Sequence, residues 1–275
     1  MRARLYLAPV LAALVFVGTS SAATTTVPPL LFPVVGAVTY HDDFGEPRAG
    51  GAHQGNDLLA AKRAPVVAVE DGTVSYWTTS ASAGCMLYLH GDSGTMYEYI
   101  HLNNDLTLGN DNKGTCVQGV AYTVPDGTHV DAGTQIGYVG DSGDANGIHP
   151  HLHFEVHPTG GKAVSPFPFL KKAAHLLLAA PPAGAAFTLR LTGTVVTADS
   201  QQLTLSVGAL TAWPSHLKES KVNRTLSLTV AAVVVGASAF YPGEKIVAWT
   251  LPAPGTLEAL TGAPGALSLD RALPL

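Results

Sequence analysis

Histidine and aspartate recur in three short patterns along the first two thirds of the chain, and these residue types can bind a metal ion or move protons. The three patterns are His53-x3-Asp57, the segment YIHL that contains His101, and the pair His151-x-His153. Two imidazoles with one carboxylate form a donor set suited to zinc. His53, Asp57 and one member of the His151/His153 pair therefore make a candidate ligand set. The spacing alone does not decide which member of the pair is the ligand.

The candidate set supplies three protein ligands, and this number indicates a catalytic rather than a structural ion. Catalytic zinc has three protein ligands and an open fourth position, whereas structural zinc is closed by four ligands. Such an ion lowers the pKa of a bound water from about 15.7 toward about 7, which gives a nucleophile near neutral pH. His101 and the remaining member of the pair can then accept a proton or donate to an oxyanion. No H-E-x-x-H segment is present, so the carboxylate base of that other metalloprotease class is missing.

A β-strand is the element that can position the His151/His153 pair. Side chains of a strand alternate between its two faces, so His151, His153 and Glu155 project to one side. The opposite side is apolar and consists of Leu152, Phe154 and Val156. Burial of that apolar side anchors the strand by roughly 5 kcal/mol. We therefore expect the two imidazoles to lie on a rigid element, as a catalytic site requires.

Further motifs accompany the histidines in a fixed order along about residues 32–170. They are Phe44-Gly45, Arg48, His53 with Asp57, PVVAVEDGTV (residues 65–74), YIHL (residues 99–102), GYVGDSG (residues 137–143) and HLHFEV (residues 151–156). In these segments the chain resembles the lysostaphin-type zinc metallopeptidases. That family consists of secreted endopeptidases that cut peptide cross-links in bacterial cell walls.

The resemblance implies a role for each candidate residue. It implies zinc bound by His53, Asp57 and His153, with His101 and His151 as the catalytic pair. It also implies an antiparallel β-sandwich-like domain with a groove, and peptidoglycan stem peptides or glycine-rich bridges as the substrate. Two alternatives remain open, a catalytically silent cell-wall binding or amidase-activator-like protein on the same fold and a peptidase of extracellular proteins. All five positions are intact, which favours an active enzyme.

Four neighbouring residues have simpler interpretations. We expect Arg48 to pair with a structural aspartate rather than with a substrate carboxylate. Glu155 is expected to support a neighbouring group rather than to act as the base. His149 either borders the groove or is exposed, and His90 is expected in a turn that closes a hairpin.

Composition and the N-terminal residues indicate an exported protein. Residues 1–22 combine Arg2 and Arg4, an apolar stretch and a small-residue cleavage site, as in a signal peptide. No later apolar run reaches the ~18 residues of a membrane span, so we expect no span after signal removal. The 275 residues carry a net charge of -5 and no basic run, which argues against nucleic-acid binding. We expect a monomer that is secreted or associated with the cell wall.

The chain contains two cysteines, Cys85 and Cys116, and no CxxC spacing of a thiolate metal site. In an oxidising compartment a disulfide between them is the simplest expectation, with free thiols as the alternative. The segment after His101, residues 103–130, is longer than the usual connection of the family. We expect it to remodel one wall of the groove.

The fold class is mainly β, with two units. The first, residues 32–180, alternates short β-type runs with glycine turns and is expected to close with one helix over residues 169–180. A proline-rich linker, residues 181–185, follows. Residues 186–275 are expected to be entirely β and to form a small barrel-like accessory domain, with strands over residues 187–196, 202–207, 225–235 and 245–249.

Overall fold

A seven-stranded antiparallel sheet carries most of the first unit of the chain. The computed structural model describes residues 26–77, 80–182, 185–230 and 240–275, so the predicted signal peptide lies outside the described residues. The strands of this unit are β1 (Val38–Thr39), β2 (Pro47–Arg48), β3 (Gly51–Ala52), β4 (Asn56–Ala60), β5 (Pro65–Val67), β6 (Gly72–Trp77), β7 (Cys85–Gly91), β8 (Met96–Leu102), β9 (His129–Val130), β10 (Gln135–Tyr138) and β11 (His151–His157). The order in the large sheet is β1-β4-β11-β8-β7-β6-β9.

Two smaller pairs complete this unit. Strands β5 and β10 pair with each other, and β2 pairs with β3 as a short hairpin. Val66 of β5 and Ile136 of β10 are fully buried in the same apolar cluster as Leu87, Tyr99 and Phe154 of the large sheet. One face of the large sheet therefore packs against the smaller pair, which confirms the predicted sandwich-like arrangement.

Strand β11 lies at the middle of the functional face. It pairs with β4 on one side and with β8 on the other, so that His153 lies opposite both Asp57 and Ile100. Leu152 and Phe154 are fully buried in the core, as the alternation predicts. The histidines of the other face are also largely buried, because they line the floor of a cleft rather than an open surface.

The prediction of a helix over residues 169–180 is wrong. The helical part is one turn, α1 (Phe167–Leu170), and the chain then continues without regular structure. Leu176, Leu177 and Leu178 are buried in this irregular segment, whose Leu177 N–H donates to the Leu260 carbonyl. Tertiary contacts bury these side chains without regular structure, so the apolar pattern does not require a helix. Two 3₁₀ turns, Gly143–Ala145 and Pro158–Gly160, are the other helical elements described in this unit.

The second unit is a closed β-barrel. Its elements are β12 (Ala186–Ala198), β13 (Gln202–Trp213), β14 (Lys218–Val230), β15 (Lys245–Thr250), β16 (Ala253–Pro254), α2 (Leu257–Thr261) and β17 (Leu267–Pro274). Strand β12 pairs with both β13 and β15, and β13-β14-β17-β15 completes the circuit. This closed circuit of strands confirms the predicted barrel. Closure removes exposed sheet edges. The expectation of strands alone is corrected by α2, and residues 231–235 of the third predicted strand lie outside the described residues.

The two units share an apolar core. Leu31, Val67 and Leu177 from the first unit belong to the same buried cluster as Leu191 and Leu228 of the barrel. The irregular segment after α1 therefore lies between the units and contacts both. Of the predicted linker, the structure describes residues 181, 182 and 185. In the ranges described above, no helix is long and apolar enough to cross a membrane.

Candidate metal centre and active site

Three donor atoms converge on the cleft face of β4 and β11. His53 Nε2 lies 2.9 Å from His153 Nδ1 and 3.2 Å from Asp57 Oδ1, and His153 Nδ1 lies 3.1 Å from the same Asp57 oxygen. These are the three residues that the sequence resemblance names as ligands. A tetrahedral zinc ion with bonds of about 2.0–2.1 Å separates its ligands by about 3.3–3.4 Å. The three atoms therefore fit such an ion with little adjustment.

In each of the two imidazoles, the hydrogen bond of one ring nitrogen fixes which nitrogen would face a metal ion. His53 Nδ1–H donates to the Asp43 carbonyl at 2.9 Å, and His153 Nε2–H donates to Glu155 Oε1 at 2.9 Å. In the neutral rings His53 Nε2 and His153 Nδ1 then both carry lone pairs, and they face each other beside a carboxylate oxygen. This arrangement of acceptors requires a cation between them, either a metal ion or a proton.

The pKa values in the metal-free chain reflect this demand for a cation. Burial lowers the pKa of His153, but hydrogen bonds and charges from Asp57 and Glu155 outweigh it and raise that pKa to about 9. Burial raises the pKa of Asp57, yet hydrogen bonds from His153 and His53 bring it well below its usual range. The site is therefore built to hold positive charge.

A glycine allows the two candidate ligands on the β4 side, His53 and Asp57, to approach β11. Gly55 lies between His53 and Asp57, and a Cβ placed on it would lie 2.4 Å from the Phe154 carbonyl oxygen and 2.8 Å from His153 Nε2. Any side chain at this position would push β4 away from β11. The x3 spacing of the motif thus includes one position that must lack a side chain.

His101 reaches the cleft through a break in the alternation of β8. Tyr97 and Tyr99 point into the core, so regular alternation would direct His101 there as well. Its φ of 62° lies in the left-handed region, which is costly for a residue other than glycine. As a result Ile100 and His101 both line the cleft.

His101 and His151 are oriented in the same way. His101 Nδ1–H donates to the Ser142 carbonyl at 2.9 Å, and His151 Nδ1–H donates to the His149 carbonyl at 3.0 Å. Both Nε2 atoms are then free to accept or exchange a proton in the cleft. The ring centroids lie 5.0 Å apart, and His151 Nε2 is 3.7 Å from Asp57 Oδ1. Burial, followed by the charges of His151 and His153, lowers the pKa of His101 to about 4, so this imidazole is neutral at pH 7.

A chain of ion pairs contacts His153 at its Nε2 atom, through Glu155. Glu155 Oε2 accepts from His157 Nε2 at 2.7 Å, and Glu98 Oε1 lies 3.3 Å from the same nitrogen. The hydrogen bond to Glu155 raises the pKa of His157. Burial raises the pKa of Glu155, but hydrogen bonds from His153 and His157 lower it to about 2. Glu155 is therefore an ionised acceptor for His153, as the sequence suggested, and His157 balances its charge.

The three candidate metal donors and the two candidate catalytic histidines line one cleft of about 490 Å³. Arg48 lies at one wall and donates to Asp57 Oδ2 at 3.1 Å and to Asp43 Oδ2 at 3.4 Å, so it pairs with the buried Asp43, as a structural role predicts, and also with a candidate metal ligand. His149 is exposed and lies outside the residues that line the cleft. His90 lies at the end of β7 rather than in the adjacent turn.

The disulfide between Cys85 and Cys116 is present and confirms the prediction. Cys85 begins β7 and lies opposite Leu102 of β8, one residue after His101. Its backbone N–H donates to Ser142 Oγ, and Ser142 Oγ–H donates to the Leu102 carbonyl. The bridge thus fastens the long segment after His101 to the strands that carry the catalytic candidate.

Two residues of the site were missed by the sequence reasoning. Asp43 lies ten positions before His53 and supports it through a backbone carbonyl, which carries no signal in the residue type. Ser142 supports His101 in the same way. Ser142 lies within the GYVGDSG motif, so the sequence draws attention to this residue. The sequence does not indicate that the Ser142 carbonyl accepts from His101.

Comparison with known proteins gives a family match over the segment that contains the site. Residues 51–166, which include all five predicted site residues, match the model of Peptidase family M23. The chain is similar to a candidate glycyl-glycine endopeptidase, LytM, from Ruminococcus gnavus, with 26% identity over 52% of this chain and 59% of that chain and a TM-score of 0.41. It therefore spans less than two thirds of that relative.

Two further structures belong to the antimicrobial peptidase lysostaphin of Staphylococcus simulans. Its catalytic domain is 27% identical over 49% of this chain and 92% of that chain, with a TM-score of 0.39. The longer lysostaphin structure is 19% identical over 79% of this chain and 87% of that chain, with a TM-score of 0.41.

Proposed function

We propose that this protein is a zinc-dependent endopeptidase that hydrolyses peptide bonds of bacterial cell-wall peptidoglycan, because residues 51–166 match the model of Peptidase family M23, as the sequence motifs indicated. The observation that carries the proposal is the convergence of His53 Nε2, Asp57 Oδ1 and His153 Nδ1 within 3.2 Å of one another. Two further histidines present free Nε2 atoms to the same cleft. Metal binding and proton transfer are therefore possible at one place.

The donor set suits zinc better than the harder cations. Two imidazole nitrogens and one carboxylate oxygen are ligands that zinc accepts, whereas calcium and magnesium prefer oxygen ligands throughout. His53, Asp57 and His153 would hold the ion. When bound, zinc supplies a Lewis acid that polarises a carbonyl and lowers the pKa of water.

The two remaining histidines would handle the protons of hydrolysis. His101 is neutral at pH 7, because its pKa is lowered to about 4, and its free Nε2 can accept a proton from the attacking water. His151 Nε2 lies 3.7 Å from Asp57 Oδ1, and when this nitrogen carries a hydrogen it can donate to the oxyanion that develops on the scissile carbonyl. The proton that His101 accepts can then pass to the leaving amine, which requires one.

Export is part of the proposal. Residues 1–22 have the pattern of a signal peptide, and the chain holds a disulfide between Cys85 and Cys116. Disulfides persist in oxidising compartments, which is also where peptidoglycan is found. We therefore place the mature protein outside the cytoplasm, at the cell wall, with a peptide of the wall as its substrate.

The test compares purified protein on isolated peptidoglycan, a glycine-rich peptide and an unrelated extracellular protein, each with and without a chelator. We expect cleavage of a wall substrate that the chelator abolishes and zinc restores. His90→Ala is a matched control, because His90 is exposed and lies outside the residues that line the cleft, and it should cleave like the wild type. Cleavage that resists the chelator, or no cleavage of either wall substrate, contradicts the proposal.

A further inference from the structure

The two ligands on the β4 side depend on one buried carboxylate that precedes the matched segment. Asp43 is 2% exposed, and its backbone carbonyl accepts from His53 Nδ1–H at 2.9 Å. Its Oδ2 accepts from the backbone N–H of Asp57 at 3.3 Å, and its Oδ1 accepts from Asn56 Nδ2 at 2.6 Å. Backbone and side chain of Asp43 thus hold the ring of one ligand and the main chain of the other.

Arg48 joins this carboxylate to the carboxylate of the ligand. Its Nη2 lies 3.1 Å from Asp57 Oδ2 and 3.4 Å from Asp43 Oδ2. Asp57 therefore has one oxygen engaged by a guanidinium, while its other oxygen, Oδ1, faces His53 and His153. The planar guanidinium is suited to bridge two carboxylates, which the point charge of a lysine does less well.

We propose that Asp43 and Arg48 are positioning residues of the metal centre, which fix the orientation of His53 and leave Asp57 only its Oδ1 for the ion. The inference rests on the proposed function, because it concerns the same metal. Both residues lie before residue 51, outside the segment that matches the family model. Neither donates an atom to the converging set, so they act through the ligands.

The decisive variant is Arg48→Gln. The side chain of Arg48 is 45% exposed, so its replacement leaves no buried cavity and the fold should persist. Outer residues that orient metal ligands typically change metal affinity by about 10–100-fold when they are lost. We expect the zinc dissociation constant of Arg48→Gln, measured by competition with a chromogenic chelator, to rise about tenfold. Arg48→Lys should give an intermediate value.

Cobalt reports on the coordination itself. Release of Asp57 Oδ2 allows both carboxylate oxygens to bind, so the visible absorption of the cobalt-loaded Arg48→Gln protein should weaken relative to the wild type as coordination increases. A second variant, Asp43→Asn, keeps the size of the side chain but replaces one carboxylate oxygen by an amide N–H group. That group would face the N–H donors that the carboxylate now accepts from. This variant should also weaken zinc binding, by about 10–100-fold. Arg271→Gln is the matched control, because it removes an exposed arginine of β17 with the same change in charge.

The inference is supported if Arg48→Gln both weakens zinc binding and alters the cobalt spectrum while Arg271→Gln does neither. It is overturned if the affinity or the spectrum of Arg48→Gln matches the wild type, or if Arg271→Gln weakens binding equally, since net charge would then explain the effect. A wild-type protein that binds no zinc refutes the proposed function and this inference together. Tight wild-type binding with an unchanged Arg48→Gln refutes the inference alone.

Discussion

The stability of the metal-free protein should fall as the pH rises from 6 to 10, because His153 holds a proton where the metal would bind. The pKa of His153 is about 9 in the folded chain, against an ordinary value of 6.5. This interval spans about 2.5 pH units, and each unit corresponds to about 1.36 kcal/mol, so the protonated imidazole contributes about 3 kcal/mol to the free energy of unfolding. The side chain is largely buried, so solvent screens this contribution little.

The sign follows from the direction of the pKa change. A group whose pKa is raised by folding stabilises the folded state fully below its unfolded pKa, and this stabilisation is lost as the pH rises through the folded pKa. The contribution of His153 is therefore complete below about pH 6.5 and disappears above about pH 9. Glu155, with a pKa of about 2, stays ionised across this whole range.

The assay is urea unfolding of the chelator-treated protein, followed by circular dichroism at several pH values with the disulfide intact. His153→Gln serves as the reference, because groups elsewhere titrate equally in both proteins. The wild type should lose about 3 kcal/mol relative to this variant between pH 6 and pH 10. A difference that stays flat, or that grows with pH, would refute the reasoning about the converging acceptors.

Three further predictions concern catalysis and packing. His101→Ala should retain zinc but lose about 10²–10⁴-fold in kcat, whereas Asp57→Ala should be purified without metal. Measurements of metal content and of turnover check both variants. Normal turnover by His101→Ala would remove the proposed role of His101. Replacement of Cys85 and Cys116 by serine opens a loop with a sequence separation of 31. It should cost about 3–4 kcal/mol in urea unfolding, and an unchanged midpoint would contradict this. Leu177→Ala should cost about 2–5 kcal/mol, since Leu177 is 3% exposed in the shared core, and a loss below about 1 kcal/mol would show that the packing there is loose.

Strand β11 shows why part of the site could be predicted from sequence. Its alternation of histidine with apolar residues requires two different faces, and the structure places Leu152 and Phe154 in the core with His151 and His153 at the cleft. The period of a strand is a local property, so seven residues suffice to predict it. The strands of the barrel were predictable for the same reason, because they alternate along much of their length, whereas closure depends on pairings between distant strands.

The placement of His101 could not be predicted in this way. Its side chain leaves the face that alternation assigns, because the backbone adopts a φ of 62° at that residue. The contacts that hold this conformation come from elsewhere in the chain, such as the hydrogen bond from His101 N–H to the Ala83 carbonyl. The resemblance to a family named His101 as catalytic, whereas the periodicity of β8 would have buried it.

Asp43 and residues 169–180 show the same limit. The support that Asp43 gives to His53 passes through a carbonyl group that every residue possesses. The apolar run that includes Leu176 and Leu177 has the composition of a helix, but it is buried on two sides by units that sequence alone does not bring together. In both cases the deciding partner lies far away in the chain.

The apolar cluster common to both units limits how this protein can be rearranged. Truncation of the chain after residue 182 would expose Leu31, Val67 and Leu177 to water, because these side chains pack in one cluster with residues of the barrel. A first unit transplanted without the barrel would need polar substitutions at Leu31, Val67 and Leu177, so the barrel is part of the scaffold of the first unit.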